Sequence, residues 1–354
     1  MESATYHSDT TWPQFQEFLP EANRLSPQAM PDEYYLHTYG GWEIHVDRYR
    51  PQVFAAPREG RSEGRPSETP PDACDADASQ ALAAEGDPKG RVIVFHGTGG
   101  NGRLMSFIAV PLARAGYEVV CPDLPLYGLT RYTGDILYRD WIDVGQTVVQ
   151  HFADDQTPLF LMGLSAGGML AYQVADRCNR EAVDNGCESD VDGIMVTCLL
   201  DQRDDRVTRS TAANSLMGIM AKPALEGLTP ELGSLPVPIM FMGNMRAVAN
   251  DRSLVRLLMT DAKSGGALVP LGFMKSMLDP ELETEPEDFH TTPVLVAHPT
   301  RDRWTRPGLT KRFYSRLACP KVWIDLEGAG HLPVEPLGLA ELETACITFM
   351  ECYR

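Results

Sequence analysis

The pentapeptide Gly163-Leu164-Ser165-Ala166-Gly167 follows directly on the apolar run Pro158-Leu159-Phe160-Leu161-Met162. A buried strand that ends in Gly-x-Ser-x-Gly and passes into a helix forces its serine onto a sharp turn. The hydroxyl then stands clear of the sheet, at the N-terminus of the helix. Glycine is needed on either side because side chains there would strike the neighbouring strand and helix. A serine hydroxyl is a weak nucleophile at neutral pH, so nucleophilic chemistry at Ser165 also needs a base, an orienting acid and oxyanion donors.

Each partner has a candidate at the end of another apolar run. The base is His331, in the glycine-rich loop Glu327-Gly328-Ala329-Gly330-His331 between a strand and the last helix. The acid is Asp302, just beyond the strand Val294-Leu295-Val296-Ala297. There it can hold the imidazole in one tautomer and stabilise its charged form. Asp201, beyond Cys198-Leu199-Leu200, is the alternative acid. Two backbone N–H groups are expected to form the oxyanion hole. Ala166 supplies one, where the helix dipole also favours negative charge, and Thr98 in His96-Gly97-Thr98-Gly99-Gly100 supplies the other. His96 sits at a strand end and is read as a loop anchor, and Asp123 as structural.

These residues need a sheet to position them. Apolar strands at 91–95, 117–121, 159–162, 191–200, 293–297 and 321–326 alternate with helices at 104–115, 140–152, 166–178, 308–317 and 337–352. Continuous apolar strands separated by helices predict a mostly parallel sheet covered on both faces, the α/β class. A hairpin turning at Gly40-Gly41 precedes it. Residues 1–33 form an N-terminal arm whose aromatics are expected to pack on the body. Residues 34–200 and 291–354 form the core, with 51–90 a flexible insertion rich in Pro, Gly, Ser and acidic residues. The helix-rich, methionine-rich segment 201–290 interrupts the alternation and is expected to be an inserted helical cap or lid.

The 354 residues carry a formal net charge of −18, which disfavours nucleic-acid and anionic-membrane partners. No run is long and apolar enough to span a membrane, and the N-terminus lacks a signal-peptide pattern, so the expected location is cytoplasmic. The 8 cysteines are scattered and read as reduced thiols, although Cys178 and Cys187 flank a short polar loop and could pair in an oxidising compartment. No metal-ligand spacing is present, and neither metal nor cofactor is expected.

The order Ser165, Asp302, His331, together with His96-Gly97, Asp123 and Ala329-Gly330-His331-Leu332-Pro333, resembles the α/β-hydrolase fold superfamily. Within it the chain is similar to the serine esterase and lipase (monoacylglycerol-lipase-like) branch. The resemblance implies a nucleophile elbow at Ser165 and a catalytic triad with His331 and Asp302. It departs at Pro125-Leu126-Tyr127-Gly128, where relatives often read Pro-Gly-His-Gly, and at Pro299, where they often have Gly.

The function expected is a serine hydrolase that cleaves a carboxylic ester or lactone through an acyl-enzyme. Met217, Met242 and Met245 of the cap, with Leu164 and Tyr127, are the residues expected to touch the substrate. Methionine lines adaptable apolar pockets well, so a small hydrophobic ester or lactone with an apolar acyl part is the expected partner. An acyltransferase using the same triad, or a weakly catalytic ligand-binding protein of this fold, are the alternatives. Assembly into a homo-oligomer is compatible with the sequence.

Overall fold

A computed structural model describes residues 6, 11–27, 29–38, 40–54, 87–241 and 243–354. The side chains of residues 52, 215, 217, 221, 226, 230 and 241 are excepted. Most of the expected insertion, residues 55–86, lies outside the described residues.

The strands are β1 (Asp32–His37), β2 (Glu43–Tyr49), β3 (Arg91–Phe95), β4 (Glu118–Pro122), β5 (Leu159–Gly163), β6 (Gly193–Val196), β7 (Val294–Pro299) and β8 (Lys321–Leu326). They form one 8-stranded sheet in the order β1-β2-β4-β3-β5-β6-β7-β8. The hairpin β1-β2 is antiparallel, β2 pairs antiparallel with β4, and every later pairing is parallel. Strands β3 through β7 are buried along their whole length, which is why they read as unbroken apolar runs.

Alternation along the strands divides the core into two layers. Ile93, Phe95 and Leu161 face one cluster, which holds helix α2 (Tyr138–Phe152) and much of α3 (Ala166–Asn185). Val92, Val94, Phe160 and Met162 face the other, with α1 (Ser106–Arg114) and the last helix (Pro336–Tyr353). The helix after Ser165 runs further than the expected 166–178, through a polar last turn to Asn185, and stops at Gly186 in the left-handed conformation (φ 68°). Cys178 and Cys187 therefore do not flank a loop; Cys178 is buried in the helix, Cys187 is exposed beyond it, and both are free thiols.

The arm packs on the body. Phe15 and Leu19 are buried beside α1, Asn23 donates to the Phe107 carbonyl at 3.1 Å, and the Tyr6 hydroxyl donates to Asp123 at 2.8 Å. Beneath Tyr6 lies a buried ionic cluster. Arg103 donates to both Asp47 oxygens at 2.6 and 2.9 Å, and His45 ion-pairs with Asp123 at 3.0 Å. Glu33, His45 and Asp47 lie close enough together to suggest a cation site, but Arg103 already supplies the cation to Glu33 and Asp47. Burial pulls the His45 pKa down, but the Asp123 charge and the Glu33 and Asp47 carboxylates outweigh it and push it up to about 10.

Between β6 and β7 the chain forms short helices at Asp205–Thr211, Ser215–Glu226, Pro230–Gly233, Arg252–Thr260 and Leu271–Leu278, with a small antiparallel ribbon of Pro236–Pro238 and Leu268–Pro270. Among the described residues no helix is long and apolar enough to cross a membrane.

Candidate active site

The sheet order reverses between β3 and β5: the chain leaves β3 for β4 on one side and later returns to β5 on the other. In open α/β sheets this switch opens a crevice at the strands' C-terminal ends. The candidate residues all leave strands at that end. Phe95 pairs with Gly163, and Gly163 with Val196, so the loops carrying Thr98, Ser165 and Thr197 emerge side by side. Beyond them β7 leads to Asp302 and β8 to His331.

Ser165 has φ 56° and ψ −121°, a backbone region that L-residues avoid at a cost of about 1–3 kcal/mol. The surrounding structure imposes it. A Cβ at Gly163 would strike the Gly167 carbonyl, and one at Gly167 would strike the Phe95 carbonyl, so the turn can close this tightly only with glycine at both positions. Ser165 N–H donates to the Thr197 hydroxyl at 3.2 Å. Gly97 lies against the same turn, where an added Cβ would stand 2.8 Å from the Ser165 Cβ.

His331 is buried, with Nδ1 2.8 Å from Asp302 Oδ2. An ionised carboxylate can only accept, so in the neutral imidazole Nδ1 carries the proton and Nε2 keeps its lone pair. Among the described residues that Nε2 is buried without a hydrogen-bond partner and is not closed onto the Ser165 hydroxyl. Both side chains line the same cavity, and such contacts often tighten only when substrate binds. Asp302 is held in turn. Its Oδ1 accepts from the backbone N–H groups of Trp304 and Thr305 at 2.8 and 2.7 Å, and its Oδ2 accepts from the Thr305 hydroxyl at 2.6 Å. Burial would raise the Asp302 pKa, but the facing His331 and the hydrogen bonds from His331 and Thr305 outweigh it and hold the carboxyl below its ordinary range. The Trp304 ring lies tilted over His331 at 4.8 Å between centroids, and its Nε1 is anchored to the Thr211 carbonyl at 2.8 Å.

Asp201 is engaged elsewhere. Arg203 donates to its two oxygens at 2.9 and 2.8 Å, and the same guanidinium reaches Glu285 at 2.6 Å. His96 is fully buried, with Nδ1 2.8 Å from the Gly97 carbonyl and Nε2 accepting from Leu124 N–H at 3.0 Å. Burial holds it neutral, and it fixes the loop that carries Thr98. Asp123 likewise accepts from Gly102 and Leu129 N–H at 2.6 and 2.7 Å and anchors loops.

Thr98 and Ala166 both border a cavity beside Ser165. Its wall is largely apolar: Met169, Leu200, Ile239, Met245, Met274 and Met277 contribute, with Tyr138, Gln202, Thr211 and Thr305 adding polar groups. Of the residues expected to touch substrate, Met245 lines this cavity and Leu164 lines the one beside His331. Tyr127 lines neither; it is buried under the loop, edge-on to His96 and Trp141 at 5.6 and 6.0 Å. Met242 and the Met217 side chain lie outside the described residues. Trp304, Thr305, Met274 and Met277 join the site without being expected there from sequence. The run Asp302-Arg303-Trp304-Thr305 carries the signal for two of them, since an Asp followed two and three residues later by N–H donors forms a self-bonded turn.

A family model described as the alpha/beta hydrolase family matches residues 92–342. The chain belongs to this alpha/beta hydrolase family. No curated protein matches it by sequence. Among solved structures it is similar to a monoacylglycerol lipase of Paleococcus ferrophilus, with 19% identity, 76% of this chain and 97% of that one covered, and a TM-score of 0.58. It is also similar to a soluble variant of monoglyceride lipase from Saccharomyces cerevisiae, at 12% identity, 92% and 97% coverage and a TM-score of 0.62. A thermostable carboxyl esterase of Bacillus coagulans matches at 14% identity, 91% and 98% coverage and a TM-score of 0.61. At these identities the likeness is one of fold. The α/β-hydrolase fold expected from the sequence is the fold observed.

Proposed function

We propose that this alpha/beta hydrolase is a serine hydrolase that cleaves carboxylic esters or lactones with an apolar acyl part. The observation that carries this reading is the His331–Asp302 contact, with His331 Nε2 unpaired among the described residues in the cavity that Ser165 also lines.

In this mechanism Ser165 Oγ attacks the acyl carbonyl carbon while His331 Nε2 takes its proton. Asp302 holds Nδ1–H and balances the imidazolium that forms. The carbonyl oxygen becomes an oxyanion facing the N–H groups of Ala166 and Thr98, at the N-terminus of α3. The tetrahedral intermediate collapses, the C–O bond to the leaving group breaks, and His331 protonates the departing oxygen. Water, deprotonated by His331, then attacks the acyl-enzyme and frees Ser165. The segment 201–290 acts as the cap, and its Met245, Met274 and Met277 receive the acyl chain. Esterase and lipase structures of similar fold support the reaction class.

The test is hydrolysis of p-nitrophenyl esters of increasing acyl length by wild type and Ser165→Ala. Activity that peaks at one chain length and vanishes in the variant supports the proposal. Equal activity in both proteins overturns it.

A further inference from the structure

Two cavities meet at Ser165, and His331 borders only one of them. The larger, methionine-lined cavity includes Thr98, Ser165 and Ala166 but not His331. The smaller includes Thr98, Ser165 and His331. Trp304 borders both. General acid chemistry gives this asymmetry a meaning. The group that protonates the leaving oxygen must reach it, so the leaving group lies on the His331 side and the acyl chain on the other.

The lining of the His331-side cavity then describes the leaving group. Beyond the glycine loop it consists of Leu104, Met105, Leu164, Val248, Leu258 and Leu332. Its polar side chains are Thr98, Ser165 and His331, of which the last two are occupied by the reaction, and the Trp304 N–H is committed to the Thr211 carbonyl. Neither cavity is bordered by a Lys, Arg, Asp or Glu side chain among the described residues. A polyol such as glycerol would carry its free hydroxyls into a wall with almost no side-chain partners, at a desolvation cost. A hydrocarbon alcohol would instead bury its body against six apolar side chains.

We infer that the enzyme is selective for esters whose alcohol is a neutral hydrocarbon, and discriminates against glycerol esters, through the cavity that His331 shares with Leu104, Met105 and Val248. The inference rests on the serine-hydrolase reading above and adds the leaving-group class. In the step it concerns, the Ser165 Oγ–C bond forms, the C–O(alkyl) bond breaks, and the His331 proton passes to the alkyl oxygen.

The test compares pentyl hexanoate with 1-monohexanoylglycerol, whose leaving groups match in heavy-atom count, on wild type, Val248→Thr and Met105→Gln. Both substitutions keep side-chain size and add hydrogen-bonding capacity to the wall; thermal melts confirm folding. The wild type is expected to prefer the pentyl ester by at least about tenfold in kcat/KM. The variants should narrow that ratio several-fold while preference among p-nitrophenyl acyl lengths stays as in wild type. Equal or faster cleavage of the glycerol ester by wild type, with Ser165 still labelled by a fluorophosphonate, overturns this inference and leaves the hydrolase reading standing. Variant ratios unchanged from wild type also overturn the assignment of this wall. Absence of both labelling and turnover overturns the hydrolase reading and this inference together.

Discussion

Replacing Asp302 by asparagine separates the charge of the acid from its shape, and the hydrogen bonds around it dictate how the amide must sit. Oδ1 accepts from two backbone N–H groups, at 2.8 and 2.7 Å. An asparagine must therefore place its carbonyl oxygen there and its NH2 at the Oδ2 position. Oδ2 is the atom that meets His331 Nδ1 at 2.8 Å. The amide would then donate to Nδ1, and the neutral imidazole would carry its proton on Nε2. That is the wrong tautomer to take a proton from Ser165. The expected loss in kcat is about 10³–10⁴-fold, or about 4–5.5 kcal/mol of barrier at 1.36 kcal/mol per tenfold. Asp201→Asn should change kcat by less than about threefold, because both oxygens of that carboxylate are engaged by Arg203 and neither meets His331. Stability gives a second readout. Because the folded Asp302 pKa is depressed, its contribution is present above the unfolded pKa and is lost as pH falls through the folded value. Asp302→Asn should flatten that acid limb in denaturant titrations across pH. Steady-state ester hydrolysis by both variants decides the matter. A near-wild-type Asp302→Asn, or a collapse of kcat in Asp201→Asn, would refute the assignment.

Three further outcomes are expected. Ser165→Gly should abolish activity yet raise unfolding free energy by about 1 kcal/mol, since relief of the φ 56° strain exceeds the entropy cost of glycine; chemical denaturation measures it, and a loss of stability would contradict the strain argument. His45 has its pKa raised to about 10, so its stabilisation is complete below about pH 6.5 and lost as pH rises through 10. His45→Gln should therefore be less stable at pH 7 and show a shallower decline on the alkaline side, read from urea midpoints between pH 6 and 10. Met277→Trp should shorten the optimal acyl chain, lowering kcat/KM for the longest accepted p-nitrophenyl ester by about tenfold while sparing the acetate, because Met277 borders the larger cavity.

How far the sequence can be read depends on how local the controlling physics is. Strand β3 begins and ends where its apolar run does, at Arg91–Phe95, because it is buried along its whole length and burial dictates composition directly. The turn at Ser165 is equally legible, since the approach of Gly163 and Gly167 to facing carbonyls leaves no room for another residue. Helix α3 outruns its expected span because its last turns, Asn179 to Asp184, are polar and lie at the surface end. Leu126 stands out in the sequence only as a departure from relatives. It occupies a turn position with φ 85°, closed by Tyr127 N–H on the Leu124 carbonyl at 3.1 Å, where glycine is the unstrained choice. Tyr127 is expected near substrate because its loop borders the site, yet its ring turns inward to His96. The turn that Asp302 closes on Trp304 N–H is local, but the placement of the Trp304 ring over His331 is not: it depends on the Thr211 carbonyl, nearly a hundred residues away in sequence. Such contacts across the chain have no local signature.

The most direct test of the central claim, an activated serine at the end of β5, is covalent labelling by a fluorophosphonate followed by intact-mass and peptide analysis. One adduct per chain is predicted, located on Ser165, absent in Ser165→Ala and strongly slowed in His331→Ala. A folded wild type that takes no label, or an adduct that persists in Ser165→Ala, would contradict it.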